Sequence, residues 1–289
     1  SFDSTAMREA LYRPFCVEYV YFSIGLNERR GQLVSLFPTP IHRNICFVSK
    51  QPASPLPYST LMTATLPGLS LLGASSGVQT FPLYTWEPLS PTSGSEPDLF
   101  ADLATASESQ ADGAATASSL DFSRPIGDQI PVILDGYRRV DNVTDATLAS
   151  YREHYRDAGM TKEDIFFYVY ALLHHPEYRE RYEDDLKKML PHIPRAAGFH
   201  TYASVGRELA ELHVNYERVE PYPSVQEEAS LHAPADPWER YRITSKQMQF
   251  RKVGRQKTDY TRLEYNEYVT LSGIPSESQH YVISGYSPL

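Results

Sequence analysis

The chain has 289 residues, of which 41% are hydrophobic and 12% aromatic, and a formal net charge of −9 at pH 7. This composition is typical of a folded protein with one large domain or two small ones, and it excludes an intrinsically disordered chain. There are two cysteines, too few for a disulfide framework, no apolar run of the about 18 residues that a membrane span needs, and no signal sequence at the start. We therefore expect a soluble, cytoplasmic protein that does not bind membranes.

The negative charge is concentrated in one stretch. Residues 86–128 hold eight acidic side chains and one basic side chain, which leaves −2 for the rest of the chain. The objection that DNA binding requires Lys and Arg therefore applies mainly to this stretch. Residues 90–128 are also rich in Ser, Ala, Asp and Glu, and they have too few large apolar side chains to offset the entropy cost of ordering them. We predict an acidic insertion or linker over residues 90–140.

Three structured parts are predicted around this insertion, and together they indicate an α+β fold. Residues 1–89 alternate short apolar or aromatic runs, such as 15–22 and 45–48, with Pro and Gly, which is typical of a β-rich part. Residues 141–220 show helical spacing and are predicted to form a helical subdomain. Residues 221–289 are predicted to form a basic part made of antiparallel β-hairpins. Its strands are predicted at 241–243, 248–250, 263–265 and 268–271, with turns near Gly254 and Gly273.

The helical subdomain is predicted to contain three helices that pack together. Thr161 and Asp164 have the spacing of an N-terminal cap, and Pro176 interrupts the helix that follows them. The second helix is predicted from Pro176 to Leu190 and the third from Tyr202 to Tyr216. The apolar stripes of the first and third helices are Ile165, Val169, Leu172 and Leu173, and Val205, Leu209 and Leu212.

The tract from 240 to 262 is the most DNA-like part of the chain. It has eight basic residues and one acid, Asp259, interleaved with Tyr241, Phe250 and Tyr260. This pattern fits a strand pair whose connecting loop, at about 253–258, lies against phosphates or enters a groove. A solvated hairpin with ordinary surface charge is the alternative. The candidate DNA-binding residues of this tract are Lys246, Arg251, Lys252, Arg255 and Lys257.

A second set of candidates lies near the start of the chain. Arg, Gln and Asn side chains are of the kind that pairs with guanine or adenine edges. Arg29 and Arg30 fall in a predicted loop, where plain solvated charge is the alternative. Arg13 is instead expected to form an internal ion pair with an acid such as Glu18. The candidates of this tract are Arg29, Arg30, Gln32 and Arg43.

No catalytic or metal-binding residue is predicted. The chain lacks the G-x-x-x-x-G-K-[ST] loop of ATP hydrolysis and the Asn-Pro-Pro-aromatic motif of adenine methylation. His174 and His175 are adjacent at a helix end rather than spaced i, i+4, so we assign them to helix-end capping. The acids at 183–185 are followed at once by Lys187 and Lys188, a pattern typical of a solvated helix face.

Three segments near the start have a recognisable order and spacing: residues 11–15 (LYRPF), 27–32 (NERRGQ) and 36–40 (LFPTP). Together they resemble the target-recognition region of type ISP restriction-modification enzymes, and the resemblance covers most of the chain outside the acidic insertion. The other matching segments are 81–84, 161–166, 168–170, 176–179, 185–191, 212–217 and 271–275.

The resemblance implies sequence-specific recognition of double-stranded DNA. In such enzymes, a nuclease, an ATP-dependent translocase and an adenine methyltransferase lie in the same polypeptide as this region. S-adenosylmethionine, ATP and Mg would serve those other domains, so no cofactor and no catalytic activity are expected in this fragment. Its expected partners are double-stranded DNA and the methyltransferase and translocase domains.

Two other interpretations remain open. A protein-interaction scaffold that couples translocase to methyltransferase without touching bases would suit the helical residues 143–217. An independent enzyme such as a nuclease has only the acids at 183–185 in its favour.

Overall fold

A computed structural model describes residues 3–27, 30–73, 77–89, 120–244, 247–254 and 257–288. The chain divides into two compact units, Ser1–Tyr216 and Glu217–Leu289, called here the N-terminal and C-terminal units. Strands come first, helices occupy the middle, and an antiparallel sheet follows, which confirms the predicted α+β fold. No helix in the described part of the chain is long and apolar enough to cross a membrane.

The described strands of the N-terminal unit form three small sheets. Their orders are β2-β1-β5, β4-β3-β6 and β7-β9-β8, and every pairing is antiparallel except that of β1 with β5. β3 is buried along its whole length, as its apolar run requires. The bounds are β1 Met7–Arg13, β2 Cys16–Tyr21, β3 Cys46–Lys50, β4 Thr60–Thr63, β5 Leu66–Pro67, β6 Val78–Pro82, β7 Tyr84–Pro88, β8 Ile133–Leu134 and β9 Tyr137–Asp141.

Helix α3 packs mainly against α6, and it is apolar on nearly every side and therefore lies in the core. Thr161 accepts the backbone N–H of Asp164 and Asp164 accepts that of Thr161, so the predicted cap is confirmed as a capping box. The second predicted helix is shorter than expected, because it breaks at Tyr182 and ends at Leu186. The bounds are α1 Leu33–Leu36, α2 Asp145–Tyr155, α3 Lys162–His174, α4 Pro176–Arg181, α5 Glu183–Leu186 and α6 Phe199–Val214.

The predicted apolar face of α6 is wrong for two of its three residues, because only Leu209 packs against the core. Val205 is 49% exposed and Leu212 is 51% exposed. A Cβ built on Gly206 would lie 1.9 Å from the carbonyl oxygen of Phe167 in α3, so the two helices approach at a glycine. Because α3 already supplies large aromatic rings, small side chains let α6 come close to it. The buried residues of α6 are Phe199, Ala203, Gly206, Ala210 and His213.

The predicted acidic insertion lies mostly outside the described residues, which resume at Leu120. From there on the chain belongs to the core of the N-terminal unit, since Leu120, Phe122, Ile126 and Ile130 are all buried in the main apolar cluster. Strands β8 and β9 follow before residue 141. Burial of four large apolar side chains within eleven residues stabilises this part of the chain against the entropy cost of ordering it.

One buried carboxylate joins this returning segment to the helices. Glu163, in the first turn of α3, is 8% exposed. It accepts the backbone N–H groups of Ile126 (3.0 Å) and Gly127 (2.6 Å) and the hydroxyl of Tyr84 (3.0 Å). Arg207 of α6 forms an ion pair with it at 3.3 Å. The charge is therefore compensated although it is buried.

The C-terminal unit is built on one antiparallel sheet of order β10-β13-β12-β11. The predicted turns are confirmed, since Gly254 and Gly273 both have φ of +74°, a conformation that glycine adopts without strain. The predicted strand at 241–243 is wrong, because the Asn266 side chain donates to the carbonyls of Arg240 and Arg242 where a strand partner would bind. The bounds are β10 Gln226–Ala229, α7 Pro237–Arg240, β11 Gln249–Val253, β12 Lys257–Glu264 and β13 Val269–Ser272.

Candidate nucleic-acid interface

The hairpin of β11 and β12 displays three cations at the edge of the C-terminal sheet. Its register places Arg251 opposite Asp259, Lys252 opposite Thr258, and Val253 opposite Lys257, on either side of the Gly254 turn. Arg251, Lys252 and Lys257 are all exposed. They take part in none of the ion pairs found among the described residues. These three side chains are therefore available to an external anion.

The other described cations of the 240–262 tract have partners within the unit. Arg262 forms a two-bond ion pair with Glu228 of β10, in which its Nη1 lies 3.1 Å from Oε1. Arg240 donates through Nε to the carbonyl of Pro234 at 2.9 Å. The tract thus contains both structural and exposed cations, which composition alone does not distinguish.

Asp259 keeps its charge on this hairpin. Its carboxylate accepts the hydroxyl of Thr261 at 2.6 Å and the backbone N–H of Thr261 at 3.0 Å. These hydrogen bonds, with the nearby guanidinium groups of Arg251 and Arg262, lower the pKa of Asp259 below its usual value. The hairpin therefore carries a fixed negative charge opposite Arg251.

The candidates near the start of the chain lie in the N-terminal unit. The guanidinium of Arg30 lies 5.4 Å from the ring centre of Phe22. Gln32 precedes α1, is exposed, and forms no side-chain capping bond. Arg43 is half-buried, and this burial lowers its pKa. The structure therefore groups Arg251, Lys252 and Lys257 on one hairpin. Arg30, Gln32 and Arg43 lie elsewhere, in the N-terminal unit.

Three of the candidate residues lie outside the described part of the chain: Arg29, Lys246 and Arg255.

Arg13 has the internal role expected of it, with a different partner. It donates to the main-chain carbonyl of Ser70 rather than to an acid, and its guanidinium lies 4.6 Å from the ring centre of Tyr12. The side chain therefore joins the β1–β2 hairpin to the segment that follows β5.

Groups that could hold a metal are absent from the described residues. Glu183 and Asp184 are both within ion-pair distance of Lys187, at 2.8 and 3.4 Å. His174 is partly buried, and its Nδ1 lies 2.9 Å from the carbonyl oxygen of Tyr170. These side chains therefore have partners within the fold.

Two features define the class of this protein: an exposed basic hairpin in the C-terminal unit and a well-packed helical core in the N-terminal unit. The chain matches the Type ISP C-terminal specificity domain over residues 1–289, and it belongs to this family. This match confirms the resemblance seen in the sequence. No curated protein sequence matches the chain significantly.

Three solved structures are also similar to the chain. The cryo-EM structure of the DrdV–DNA complex is 28% identical with a TM-score of 0.73, and the match covers 99% of this chain and 23% of that one. The ATP-dependent Type ISP restriction-modification enzyme LlaBIII bound to DNA is 23% identical with a TM-score of 0.72, and 99% of this chain matches 15% of it. A nuclease-deletion mutant of the Type ISP enzyme LlaGI in complex with a DNA substrate mimic is 24% identical with a TM-score of 0.67, over 99% of this chain and 20% of that one. The chain thus spans less than a quarter of the length of these proteins, and the last two matches establish the fold alone.

Proposed function

We propose that this chain recognises a specific sequence in double-stranded DNA and serves as the specificity part of a Type ISP restriction-modification enzyme. The observation that carries the proposal is the exposed set of Arg251, Lys252 and Lys257 on one edge hairpin of a Type ISP specificity domain. The similar DrdV structure is a complex with DNA, which supports the same function here.

The hairpin offers two kinds of contact. Lys252 and Lys257 flank the Gly254 turn, and a lysine ammonium is suited to a phosphate as a compact point charge. Arg251 can form the bidentate contact by which an arginine recognises a guanine edge. Arg255, in the same turn by sequence, and Lys246 are proposed contacts as well, as are Arg29, Arg30, Gln32 and Arg43 of the N-terminal unit.

The chemistry of restriction and modification is proposed to lie in other domains. Methyl transfer with S-adenosylmethionine, ATP-driven translocation and Mg-dependent cleavage would occur in the methyltransferase, translocase and nuclease parts of the same polypeptide, in the cytoplasm. This chain would hold no cofactor and select the site at which they act.

Selection of bound duplexes from a randomised pool, at low salt and with folded protein, tests the proposal. We expect one asymmetric motif to be enriched. A folded chain that enriches no motif would contradict sequence recognition by this domain.

A matched pair of double variants tests the hairpin. Lys252→Ala with Lys257→Ala should weaken DNA binding and make the slope of log K against log salt less steep by about 2, since each lost phosphate contact removes about 0.9. Lys187→Ala with Lys188→Ala makes the same charge change in the N-terminal unit, where Lys187 is paired with Glu183. This control should leave the slope unchanged. Equal effects of both pairs would show that only total charge matters.

A protein-interaction scaffold is the second candidate function. The exposed Val205 and Leu212 of α6 favour it, because two large apolar side chains on one helix flank are suited to a protein contact. A scaffold would bind DNA no differently after the hairpin substitutions.

A further inference from the structure

One end of the C-terminal sheet carries a second exposed surface. The segment 230–244 crosses the turn between β12 and β13 and is hydrogen-bonded to it. Ser230 donates its backbone N–H to the carbonyl of Tyr268 (2.7 Å), and the Asn266 side chain donates to the carbonyl of Arg240 (2.7 Å). The Gly254 turn lies at the opposite end of β12. Because β12 has eight residues and an extended strand rises about 3.3 Å per residue, the two ends are about 25 Å apart.

Large apolar side chains project from this segment. Leu231 is 100% exposed and Trp238 is 77% exposed, and Tyr241 and Ile243 are exposed as well. Isolated exposed apolar residues are ordinary, whereas several on one short segment mark an interaction site. We call these four residues the Trp238 surface.

The backbone around Trp238 is fixed although its side chain is not buried. The Asp236 carboxylate accepts the N–H of Trp238 at 3.2 Å, and Pro237 begins the short helix α7. Arg240 then donates to the carbonyl of Pro234 at 2.9 Å, which closes the turn. A backbone that is already ordered before binding loses little conformational entropy when a partner covers Trp238.

The charges around the Trp238 surface are mainly negative. Four exposed acids and two arginines belong to this end of the sheet among the described residues, which leaves a net charge of −2, and Arg242 lies 3.9 Å from Glu239. A DNA backbone would be repelled here, unlike at the Gly254 turn. The acids are Asp236, Glu239, Glu264 and Glu267.

We infer that the Trp238 surface docks a protein and not DNA, the partner being another domain of the Type ISP polypeptide that presents an apolar pocket rimmed by Lys and Arg. Tryptophan is the side chain most often found at the energetic centre of such interfaces, and the surrounding acids complement a basic rim. The choice of partner rests on the proposed function, because the similar Type ISP structures are several times longer than this chain. The same sheet would then hold DNA at one end and its own enzyme at the other.

Photo-crosslinking in the complete enzyme tests this inference. Benzoylphenylalanine is placed at Trp238, at the fully exposed Leu231, where the substitution leaves packing intact, and at Tyr222 as a control. Tyr222 is 63% exposed in the same unit and precedes β10.

We expect positions 238 and 231 to crosslink to a Lys- and Arg-containing peptide outside these 289 residues, with at least about fivefold higher yield than position 222. Glu239→Lys should reduce that yield several-fold. Crosslinks to DNA alone or only within these 289 residues, or a yield no higher than that of the control, would overturn the inference.

Tryptophan fluorescence of the 289-residue chain separates the two kinds of partner. The chain has two tryptophans, and Trp86 is 1% exposed, so acrylamide quenching reports almost entirely on Trp238. Adding the selected duplex should leave quenching unchanged. Protection of Trp238 by DNA would assign the surface to DNA instead. Absence of a selected duplex would count against the proposed function, while the crosslinking experiment would still decide whether a protein binds here.

Discussion

The two units place the same kinds of side chain in opposite surroundings. In the N-terminal unit, Phe167, Tyr168 and Tyr170 on about one turn of α3 are fully buried, whereas Trp238 and Tyr222 of the C-terminal unit are mostly exposed. The buried apolar residues found in the C-terminal unit are few: Leu263, Val269, Ile274 and Ile283. Aromatic residues therefore stabilise one unit and are displayed by the other. Removal of an aromatic side chain should therefore lower the free energy of unfolding in the N-terminal unit, whereas in the C-terminal unit it should weaken binding to a partner.

Gly206→Val should have the largest effect on folding. A Cβ at this position would lie 1.9 Å from the carbonyl oxygen of Phe167, so α6 would have to move away from α3. We expect a loss of about 3 kcal/mol or more in the free energy of unfolding, at the upper end for overpacked cores. Chemical denaturation followed by circular dichroism measures it. Gly25→Ala is the control, since its new Cβ meets only the Ser23 hydroxyl at 3.7 Å. A Gly206 variant as stable as the control would refute the close approach of the two helices.

Glu163→Ala should be the next most damaging change. It would leave the N–H groups of Ile126 and Gly127 without their acceptor and Arg207 without its ion pair. A loss of about 2–4 kcal/mol is expected for removing one partner of a buried, hydrogen-bonded charge. Glu153→Ala removes an exposed acid from α2 and should cost less than about 0.5 kcal/mol. Equal urea midpoints for the two variants would show that the Glu163 carboxylate does not stabilise the segment that contains Ile126 and Gly127.

The third prediction concerns pH. Burial lowers the pKa of His174 to about 4, and burial together with the neighbouring His174 lowers the pKa of His213 to about 3. Both values lie below those of the unfolded chain, so the unfolded state binds protons first as the pH falls. Stability is therefore complete above about pH 6.5 and is lost progressively toward pH 4 and below, by about 2 kcal/mol for one such histidine at pH 5.

Urea titrations at pH 7.5 and pH 5 measure this loss. His213→Gln should make the difference between the two pH values smaller, because one of the buried groups no longer titrates. His154→Gln, at an exposed position of α2, should leave the difference unchanged. A wild-type protein with the same stability at both pH values would exclude buried neutral histidines as a stability determinant.

The sequence was sufficient wherever neighbours along the chain determine the structure. The capping box at Thr161, the buried strand at 45–48 and the turns at Gly254 and Gly273 follow from local patterns. The face of α6 was not predictable in this way, because hydrophobicity favours Val205 whereas the distance between helix axes favours Gly206. Periodicity carries no information about that distance.

The candidate interface shows the same limit. Arg262 and Arg251 look alike in the 240–262 tract, and only the pairing of distant strands gives Arg262 a partner in Glu228, 34 residues away. The structural role of Glu163 could not be predicted from the sequence for a similar reason, since the N–H groups that its carboxylate accepts lie 36 and 37 residues earlier. Charge composition therefore indicated the candidate interface, and sheet topology was needed to separate its exposed cations from its structural ones.

Trp238→Ala should have the smallest effect on folding, and it tests most directly whether the two units differ in how they use aromatic side chains. With 77% of the residue exposed, little apolar area is lost from the fold, so we expect the free energy of unfolding to change by less than about 0.5 kcal/mol. Trp86→Ala, which removes the same side chain from the N-terminal core, should cost about 3–5 kcal/mol. Urea denaturation of both variants measures the difference. If Trp238→Ala proved as costly as Trp86→Ala, the exposed aromatic residues of the C-terminal unit would be part of its stability, and the division between a unit that packs its rings and a unit that displays them would fail.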